Sequence, residues 1–207
     1  MSCDCDKVFS GRFARRMAKR YRKRGLDATA RRMADFLAAQ GLEGATVLEI
    51  GGGVGEIHVE LLKRGAVGAV NLELSPEYDE QAGRLATEQG VADRIERRLH
   101  DIAEAPVEPA DVVVLHRVVC CYPDYERLLG AAAAHARRLL VFSYPRHNLL
   151  VRALVWLENA SQALRRREFR AFVHPPAAML AVAEGKGLRR TFAHDGFVWQ
   201  VAGLERA

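Results

Sequence analysis

The sequence predicts an α/β fold in which helices cover both faces of a doubly wound, mostly parallel, seven-stranded sheet. From Thr46 onward, short apolar runs alternate with helical segments, which is typical of strand–helix–strand crossovers. The run Val112–Leu115 has no polar alternation, as expected for a central strand that is buried on both faces. Near the C-terminus, Asp195-Gly196 separates two short apolar segments and indicates a closing antiparallel hairpin.

The predicted elements follow one another without repeats or linkers. Strands are predicted at 46–50, 68–73, 95–100, 111–116, 138–143, 188–194 and 197–204. Helices are predicted at 55–64, 76–89, 124–136, 148–166 and 176–186. We expect a single domain that consists of a helical arm (1–43), a cofactor-binding core (44–145) and a substrate helix with closing strands (146–207).

The arm that precedes the first strand is predicted to form two helices. The first ends at Gly25, and Asp27 is expected to cap a second helix that runs to about Gln40. The spacing of its large apolar side chains gives the first helix one apolar stripe, formed by Phe9, Phe13, Met17 and Tyr21.

Composition and charge limit the possible classes of protein. The chain has 207 residues, of which 49% are hydrophobic and 28% charged, so fibrous and disordered classes are excluded. It contains neither an apolar stretch long enough to cross a bilayer nor a signal-peptide pattern, and we expect a cytoplasmic protein. Residues 1–32 hold eleven Lys or Arg against three acids, a net charge of +8, whereas the remainder carries −3. The body therefore does not indicate a nucleic-acid partner.

A glycine-rich loop links the first strand to the next helix, from Glu49 to Gly55. Side chains at Gly51 or Gly53 would prevent a ligand from approaching the backbone amides. Dinucleotide-binding loops need a small residue where this chain has Glu56, and a carboxylate there would repel a pyrophosphate at the helix N-terminus. We therefore expect a ligand without phosphates.

Further acidic residues follow the neighbouring strands. Glu73 ends the second strand, where a carboxylate can accept hydrogen bonds from both hydroxyls of a ribose. Asp101 follows the third strand and can accept from an adenine amino group, while Ile102 offers an apolar contact. Glu49 adds negative charge that suits a ligand ammonium group. The pattern predicts a ligand that contains adenosine and carries positive charge.

Residues 44–145 resemble a class I S-adenosylmethionine-dependent methyltransferase. The resemblance is carried by the glycine loop, the Glu73-Leu74-Ser75-Pro76 motif, Asp101 and Asp111, in that order. It implies S-adenosyl-L-methionine as the cofactor and no resident metal. By the same resemblance, Gly51 and Gly53 lie against the methionine part, Glu73 at the ribose, Asp101 and Ile102 at the adenine, and His116 near the transferring methyl group. Gly52 and Leu74 are expected to contact the cofactor as well. Many relatives have a cysteine or another small residue where this chain has Gly52.

The segment after the fourth strand is expected to meet the acceptor. His116 is a candidate base or cofactor contact, Tyr122 is a candidate for orienting the acceptor, and Arg117 can pair with an acidic substrate. The later segments are similar to magnesium protoporphyrin O-methyltransferases, which implies a small-molecule acceptor with an oxygen, sulfur or carbon nucleophile. No Asn-Pro-Pro-Tyr-type motif follows the fourth strand, so an amine acceptor is less favoured.

Two alternatives remain open from the sequence. In the first, Cys120 and Cys121 bind a thiol or metalloid acceptor together with Cys3 and Cys5. In the second, the basic arm binds nucleic acid or lies on anionic lipid as a peripheral membrane contact. The same arm can instead form a lid on the body, and Tyr21 and Arg24 are then expected to reach the cofactor carboxylate. The sequence does not indicate an oligomeric state.

Overall fold

The strands of the computed structural model form one mixed sheet. The structure describes residues 9–105 and 107–207. In chain order the strands are β1 (Thr46–Ile50), β2 (Gly68–Glu73), β3 (Ile95–Leu99), β4 (Ala110–Leu115), β5 (Ala136–Pro145), β6 (Leu188–Asp195) and β7 (Trp199–Arg206). Their order across the sheet is β3-β2-β1-β4-β5-β7-β6, and β7 runs antiparallel to both of its neighbours. The predicted doubly wound, mostly parallel sheet is confirmed.

Seven α-helices connect or flank these strands in the described part of the chain. They are α1 (Gly11–Arg24), α2 (Ala28–Ala39), α3 (Glu56–Lys63), α4 (Asp79–Glu88), α5 (Tyr125–His135), α6 (Leu149–Leu164) and α7 (Pro176–Glu184). Short 3₁₀ turns cover Pro76–Tyr78, Ala92–Arg94 and Val119–Cys121.

Several boundaries differ from the sequence prediction, among them those of α4, β5 and the final hairpin. The segment predicted as one helix at 76–89 begins as a 3₁₀ turn and continues as α4. Strand β5 is longer than predicted because it pairs with β7 as far as Pro145 opposite Trp199. The hairpin loop contains Gly196, Phe197 and Val198, rather than the two-residue turn suggested by Asp195-Gly196.

The two faces of the sheet pack against different sets of helices. In β4, Val112 and Val114 face a core built with α1 to α4. Val113 and Leu115 face the other core, which contains residues of α5 and α7. This alternation explains the continuous apolar run, since each side of a strand covered on both faces must be apolar.

The carboxyl ends of the parallel strands define one edge of the sheet. Ile50 of β1 is in register with Leu72 of β2 and Leu115 of β4, so the segments that follow these strands emerge together. Helix α1 lies against α4 and the Pro76–Tyr78 turn beside this edge. Asp27 caps α2 as predicted, and its carboxylate accepts from the amides of Thr29 and Ala30.

Candidate functional site

A cavity of about 390 Å³ opens at the carboxyl edge of the sheet. This is the edge at which doubly wound sheets bind ligands, and the volume is in the range of small-molecule sites. Helix α1 forms one wall through Phe13, Arg16, Met17 and Arg20. The cavity is also lined by most of the predicted site residues: Glu49, Gly51, Gly52, Gly53, Glu73, Leu74, Asp101, Ile102, His116, Arg117, Cys121 and Tyr122.

The glycine loop has the backbone conformation that glycine favours. Gly51 and Gly53 have φ values of 64° and 56°, in the left-handed region. A Cβ atom at Gly51 would lie 2.6 Å from Cγ2 of Val118. The loop therefore packs against the segment after β4 too closely for any side chain at this position.

The carboxylate of Glu73 holds this loop to the end of β2. Its Oε2 accepts from the amide of Gly53 at 2.8 Å, and its Oε1 accepts from the amides of Leu74 and Ser75 at 2.8 and 3.3 Å. A carboxylate offers about four acceptor positions, so one remains for a ligand hydroxyl. Both the loop and this acid face the cavity.

A buried polar cluster lies beneath the loop. Oε2 of Glu49 accepts from the amide of His58 at 3.1 Å and lies 2.6 Å from its Nδ1. Neither polar side-chain atom of buried Asn71 has a hydrogen-bond partner among the described residues. A Cβ atom at Gly52 would lie only 2.6 Å from Oδ1 of Asn71. Asn71 thus takes up the space that a side chain at Gly52 would need.

Sequence reasoning missed His58 and Asn71, the other two residues of this cluster. Asn71 interrupts an otherwise apolar strand, and that interruption is a readable signal of a polar site. Nothing in the spacing identifies His58 as the partner of Glu49, because the contact depends on how α3 enters after the loop.

Asp101 and Tyr122 are joined by a hydrogen bond. The Tyr122 hydroxyl donates to Oδ2 of Asp101 at 3.0 Å, and Oδ1 accepts from the amide of Ala103 at 2.9 Å. Burial, together with the hydrogen bond to Asp101, raises the pKa of Tyr122 to about 12. The hydroxyl that was expected to orient the acceptor therefore stays protonated and holds Asp101 at the cavity wall.

His116 lies at the end of β4 between the sheet and the arm. Its Nδ1 is 3.1 Å from Oγ of buried Ser143, and the same oxygen accepts from the amide of Arg117. Its Nε2 lies 3.7 Å from Oδ2 of Asp27 and has no hydrogen-bond partner among the described residues. The Arg117 guanidinium lies over the Trp199 ring, with Cζ 4.9 Å from the ring centroid. His116 thus lines the cavity and keeps one buried nitrogen without a hydrogen-bond partner among the described residues.

Arg20 connects α1 to Glu56, which lines the cavity, and to Asp27, the cap of α2. Its Nη2 donates to Oε1 of Glu56 at 2.8 Å, and its Nη1 donates to Oδ2 of Asp27 at 3.3 Å. Burial raises the pKa of Glu56, and the charge of Arg20 opposes that shift. Glu56 therefore lines the cavity as a buried acid whose charged form is stabilised by its ion pair with Arg20.

The structure corrects the expectation that Tyr21 and Arg24 reach a ligand in the cavity. Tyr21 is buried, and its hydroxyl donates to Glu60, away from the cavity lining. Arg24 is exposed at the end of α1. The cavity instead receives Met17 and Arg20, which lie about one helical turn earlier on the same face of the helix.

A methyltransferase domain family matches residues 15–197. The chain belongs to this family. The family and the enzyme class predicted from the glycine loop and the strand-end acids are therefore confirmed.

Solved structures share the fold of this methyltransferase. Magnesium protoporphyrin IX methyltransferase from Synechocystis PCC 6803, solved with bound SAH, has a TM-score of 0.71 and 20% identity, with 86% of this chain and 82% of that chain covered. An O-methyltransferase family 2 protein from Planctomyces limnophilus, in complex with apigenin, has the same TM-score and identity, with 95% and 62% covered.

A curated relative matches a shorter region. Ribosomal protein L11 methyltransferase from Actinobacillus succinogenes is 36% identical over 80 residues, which represent 39% of this chain. The matched region spans only 27% of that relative's length.

The two described cysteines of this methyltransferase differ in position. Their Sγ atoms are 3.6 Å apart, and only Cys121 lines the cavity, whereas Cys120 is packed behind it. Their mutual hydrogen bond lowers the pKa of Cys120 and raises that of Cys121. Cys3 and Cys5 lie outside the described residues. Within 9–105 and 107–207, no group of three or more His, Cys, Asp or Glu side chains is arranged to hold a metal ion.

No helix in the described ranges is long and apolar enough to cross a membrane.

Proposed function

We propose that this methyltransferase transfers a methyl group from S-adenosyl-L-methionine to a small-molecule acceptor through an oxygen, sulfur or carbon nucleophile. The observation that carries the proposal is the position of Glu73, which joins the glycine loop to the end of β2 and keeps an acceptor position for a ribose hydroxyl. The SAM- and SAH-bound forms of the magnesium protoporphyrin IX methyltransferase, whose fold is similar, support the choice of cofactor.

The residues around the cavity fit the chemical parts of this cofactor. The loop at Gly51 and Gly53 permits close approach to the backbone, which suits the methionine part. Asp101 keeps acceptor capacity for an adenine amino group beside apolar Ile102. Arg16 and Arg20 bring positive charge from α1, which suits the carboxylate of the cofactor. They take the role that was expected of Arg24.

The chain's own residues would act mainly by positioning. When bound, S-adenosyl-L-methionine supplies an electrophilic methyl group on a sulfonium. Methyl transfer requires an in-line approach, so holding the two reactants in place accounts for much of the rate. We assign His116 the role of proton acceptor when the acceptor is a hydroxyl, because this residue lines the cavity and its Nε2 has no hydrogen-bond partner among the described residues.

The walls of the cavity favour an acceptor with apolar surface. Phe9, Phe13 and Val118 line it together with Arg117, which suits a molecule that combines an apolar body with an acidic group. Two structural neighbours were solved with apigenin and with geranyl diphosphate, and these small-molecule ligands support a small-molecule acceptor.

Calorimetry and an acceptor screen test the proposal. We expect S-adenosylmethionine and S-adenosylhomocysteine to bind, NADH not to bind, and isotopically labelled methyl groups to reach at least one phenol, carboxylate or thiol. Binding of NADH without binding of the sulfonium would contradict the cofactor assignment. Transfer to a protein such as ribosomal L11, with none to small molecules, would contradict the acceptor class.

A second candidate function is transfer to a soft thiol or metalloid acceptor. It is favoured by the contact between the Sγ atoms of Cys120 and Cys121, since Cys121 also lines the cavity. The difference between the two candidates lies in whether these thiols are needed for activity.

A further inference from the structure

Helix α6 exposes the side that a helix of a globular protein normally buries. Its buried residues are Val151 and Gln162. Leu149, Trp156 and Leu164 are 82%, 67% and 87% exposed. A surface helix ordinarily turns its apolar stripe inward, so this orientation is reversed.

The exposed apolar residues of α6 form one continuous face. At about 100° per residue, they lie within roughly half of the helix circumference. Glu158, Asn159 and Gln162 lie on the opposite half, where Asn159 donates to the carbonyl of Ala171. The outward face, which we call the α6 face, consists of Leu149, Leu150, Leu154, Trp156, Leu157 and Leu164.

Positive charge surrounds the α6 face. Residues 146–170 contain six arginines and two glutamates, a net charge of +4. Arg146 and Arg152 lie near the start of the helix, and Arg165, Arg166 and Arg167 follow its end. An apolar helix face with a tryptophan and a basic border has the chemistry of a helix that lies in the headgroup region of an anionic bilayer.

We propose that the α6 face and its arginines dock this protein on an anionic lipid surface. A second copy of the chain is disfavoured as the partner of the α6 face, because it would bring like charges together. Two α6 helices packed antiparallel would place the Arg146 end of one beside the Arg165 end of the other, and parallel packing would pair the Arg165 ends. Lipid phosphates, by contrast, neutralise arginines at both ends.

The arm expected from the sequence to contact membranes is less suited to this role. Tyr21 of α1 is buried, and Phe9 and Met17 pack against the same core, so most of the stripe already packs on the body. Apart from Arg20, the basic residues of α1 remain exposed, but they have little apolar surface beside them.

The segment that follows α6 lies beside the rim of the cavity. The chain that leaves α6 packs the Phe169 ring edge-on against Phe9, with centroids 5.4 Å apart, and Phe9 lines the cavity. The Phe172 amide donates to the carbonyl of Cys120 at 2.7 Å. Docking through the α6 face would therefore bring the cavity rim near the lipid surface.

Vesicle flotation tests the proposal without reference to catalysis. We expect the protein to bind vesicles of phosphatidylcholine with roughly one-third phosphatidylglycerol at least about tenfold more tightly than vesicles of phosphatidylcholine alone. Trp156→Ser combined with Leu157→Ser should weaken binding by about tenfold or more, because both side chains are expected to enter the interface. Unchanged binding in this variant would overturn the proposal, as would failure of the wild type to float.

A pair of charge variants locates the surface. Arg152→Gln, Arg165→Gln and Arg166→Gln together should reduce binding to the anionic vesicles by about tenfold or more, since each arginine near such a surface adds about 1 kcal/mol. Arg12→Gln, Lys19→Gln and Lys23→Gln remove the same charge from exposed positions of α1 and should change it by less than about threefold. An equal loss in both variants would overturn the assignment to α6.

Parallel measurements test two other possible partners of the α6 face, a second copy of the chain and RNA. Sedimentation velocity that detects a dimer in the wild type and a monomer in the Trp156→Ser, Leu157→Ser variant would contradict lipid docking. Lipid docking would also be contradicted if the arginine variant lost binding to RNA but still bound vesicles. Unchanged thermal unfolding and unchanged S-adenosylmethionine calorimetry in the surface variants would confirm that a loss of flotation concerns docking alone.

Discussion

The Asp27 carboxylate and the Arg117 guanidinium meet at 2.8 Å although 90 positions separate them in the sequence. The same carboxylate oxygen lies 3.3 Å from Arg20 and 3.7 Å from His116. Asp27 therefore ties α1 and α2 to the end of β4, while its other oxygen caps α2.

Asp27→Asn should lower stability in a pH-dependent way. Burial alone would raise the pKa of Asp27, but the neighbouring His116 imidazole, the hydrogen bond from the Ala30 amide and the charge of Arg117 lower it far below its usual range. The charged form is thus favoured in the folded state, and its stabilisation is present above about pH 4 and lost as the pH falls further. We expect a loss of about 1.5–3 kcal/mol near neutral pH, measured by urea denaturation.

Asn caps helices about as well as Asp, so this substitution isolates the charge. The difference between Asp27→Asn and the wild type should shrink at about pH 3. Asp35→Asn, which removes an exposed partner of Arg64, should change stability by less than about 1 kcal/mol. A loss in Asp27→Asn that is the same at both pH values would refute the electrostatic explanation.

Glu73→Ala should weaken binding of S-adenosylmethionine by about 1.5–3 kcal/mol, because it removes a charged acceptor from the ribose position. Glu73→Gln keeps one acceptor oxygen and should lose less. Calorimetry measures both, with Glu80→Gln as the control, since exposed Glu80 pairs with Arg84 on α4. Equal affinity in Glu73→Ala and the wild type would disprove the role of Glu73.

Gly52→Ala should destabilise the fold by about 1–3 kcal/mol, since the new Cβ would lie 2.6 Å from Asn71 and 2.9 Å from Cδ of Glu49. Gly83→Ala provides a matched comparison in α4, where a Cβ meets nothing within 4 Å. That variant should gain about 0.5–1 kcal/mol in urea denaturation. The explanation is wrong if the two variants change stability in the same direction.

The double variant Cys120→Ser, Cys121→Ser should keep methyl transfer to an oxygen or carbon acceptor within a few fold of the wild type. Serine preserves the approximate size of the side chain and removes the soft sulfur ligand. Steady-state rates with the best acceptor from the screen measure the effect. Complete loss of transfer, with S-adenosylmethionine still bound, would favour the thiol or metalloid acceptor instead.

The sheet and the floor of the cavity were predictable from local patterns. Strands with apolar runs must be covered on both faces, and the positions of Glu73 and Asp101 after their strands follow from that arrangement. The boundaries of β5 were less predictable, because its length depends on pairing with β7, more than fifty residues later in the chain.

The wall formed by α1 was only partly predictable. Periodicity identifies the stripe that packs on the body, but it does not tell which turn of the helix reaches the cavity. Periodicity does not distinguish Arg20 from Arg24. The ion pairs of Arg20 with Glu56 and Asp27 determine that Arg20 is the one at the cavity. The apolar pattern of α6 likewise predicted a helix without indicating that its apolar face is outward.

The hydrogen bond from the Gly53 amide to Glu73 lowers the entropic penalty of ligand binding. Glycine loses more conformational entropy than any other residue when its backbone becomes ordered. In this protein the loop is already ordered by its own strand-end carboxylate, so that loss occurs when the chain folds. A ligand that enters such a loop binds with a smaller entropic penalty, and more of its contact energy is expressed as affinity.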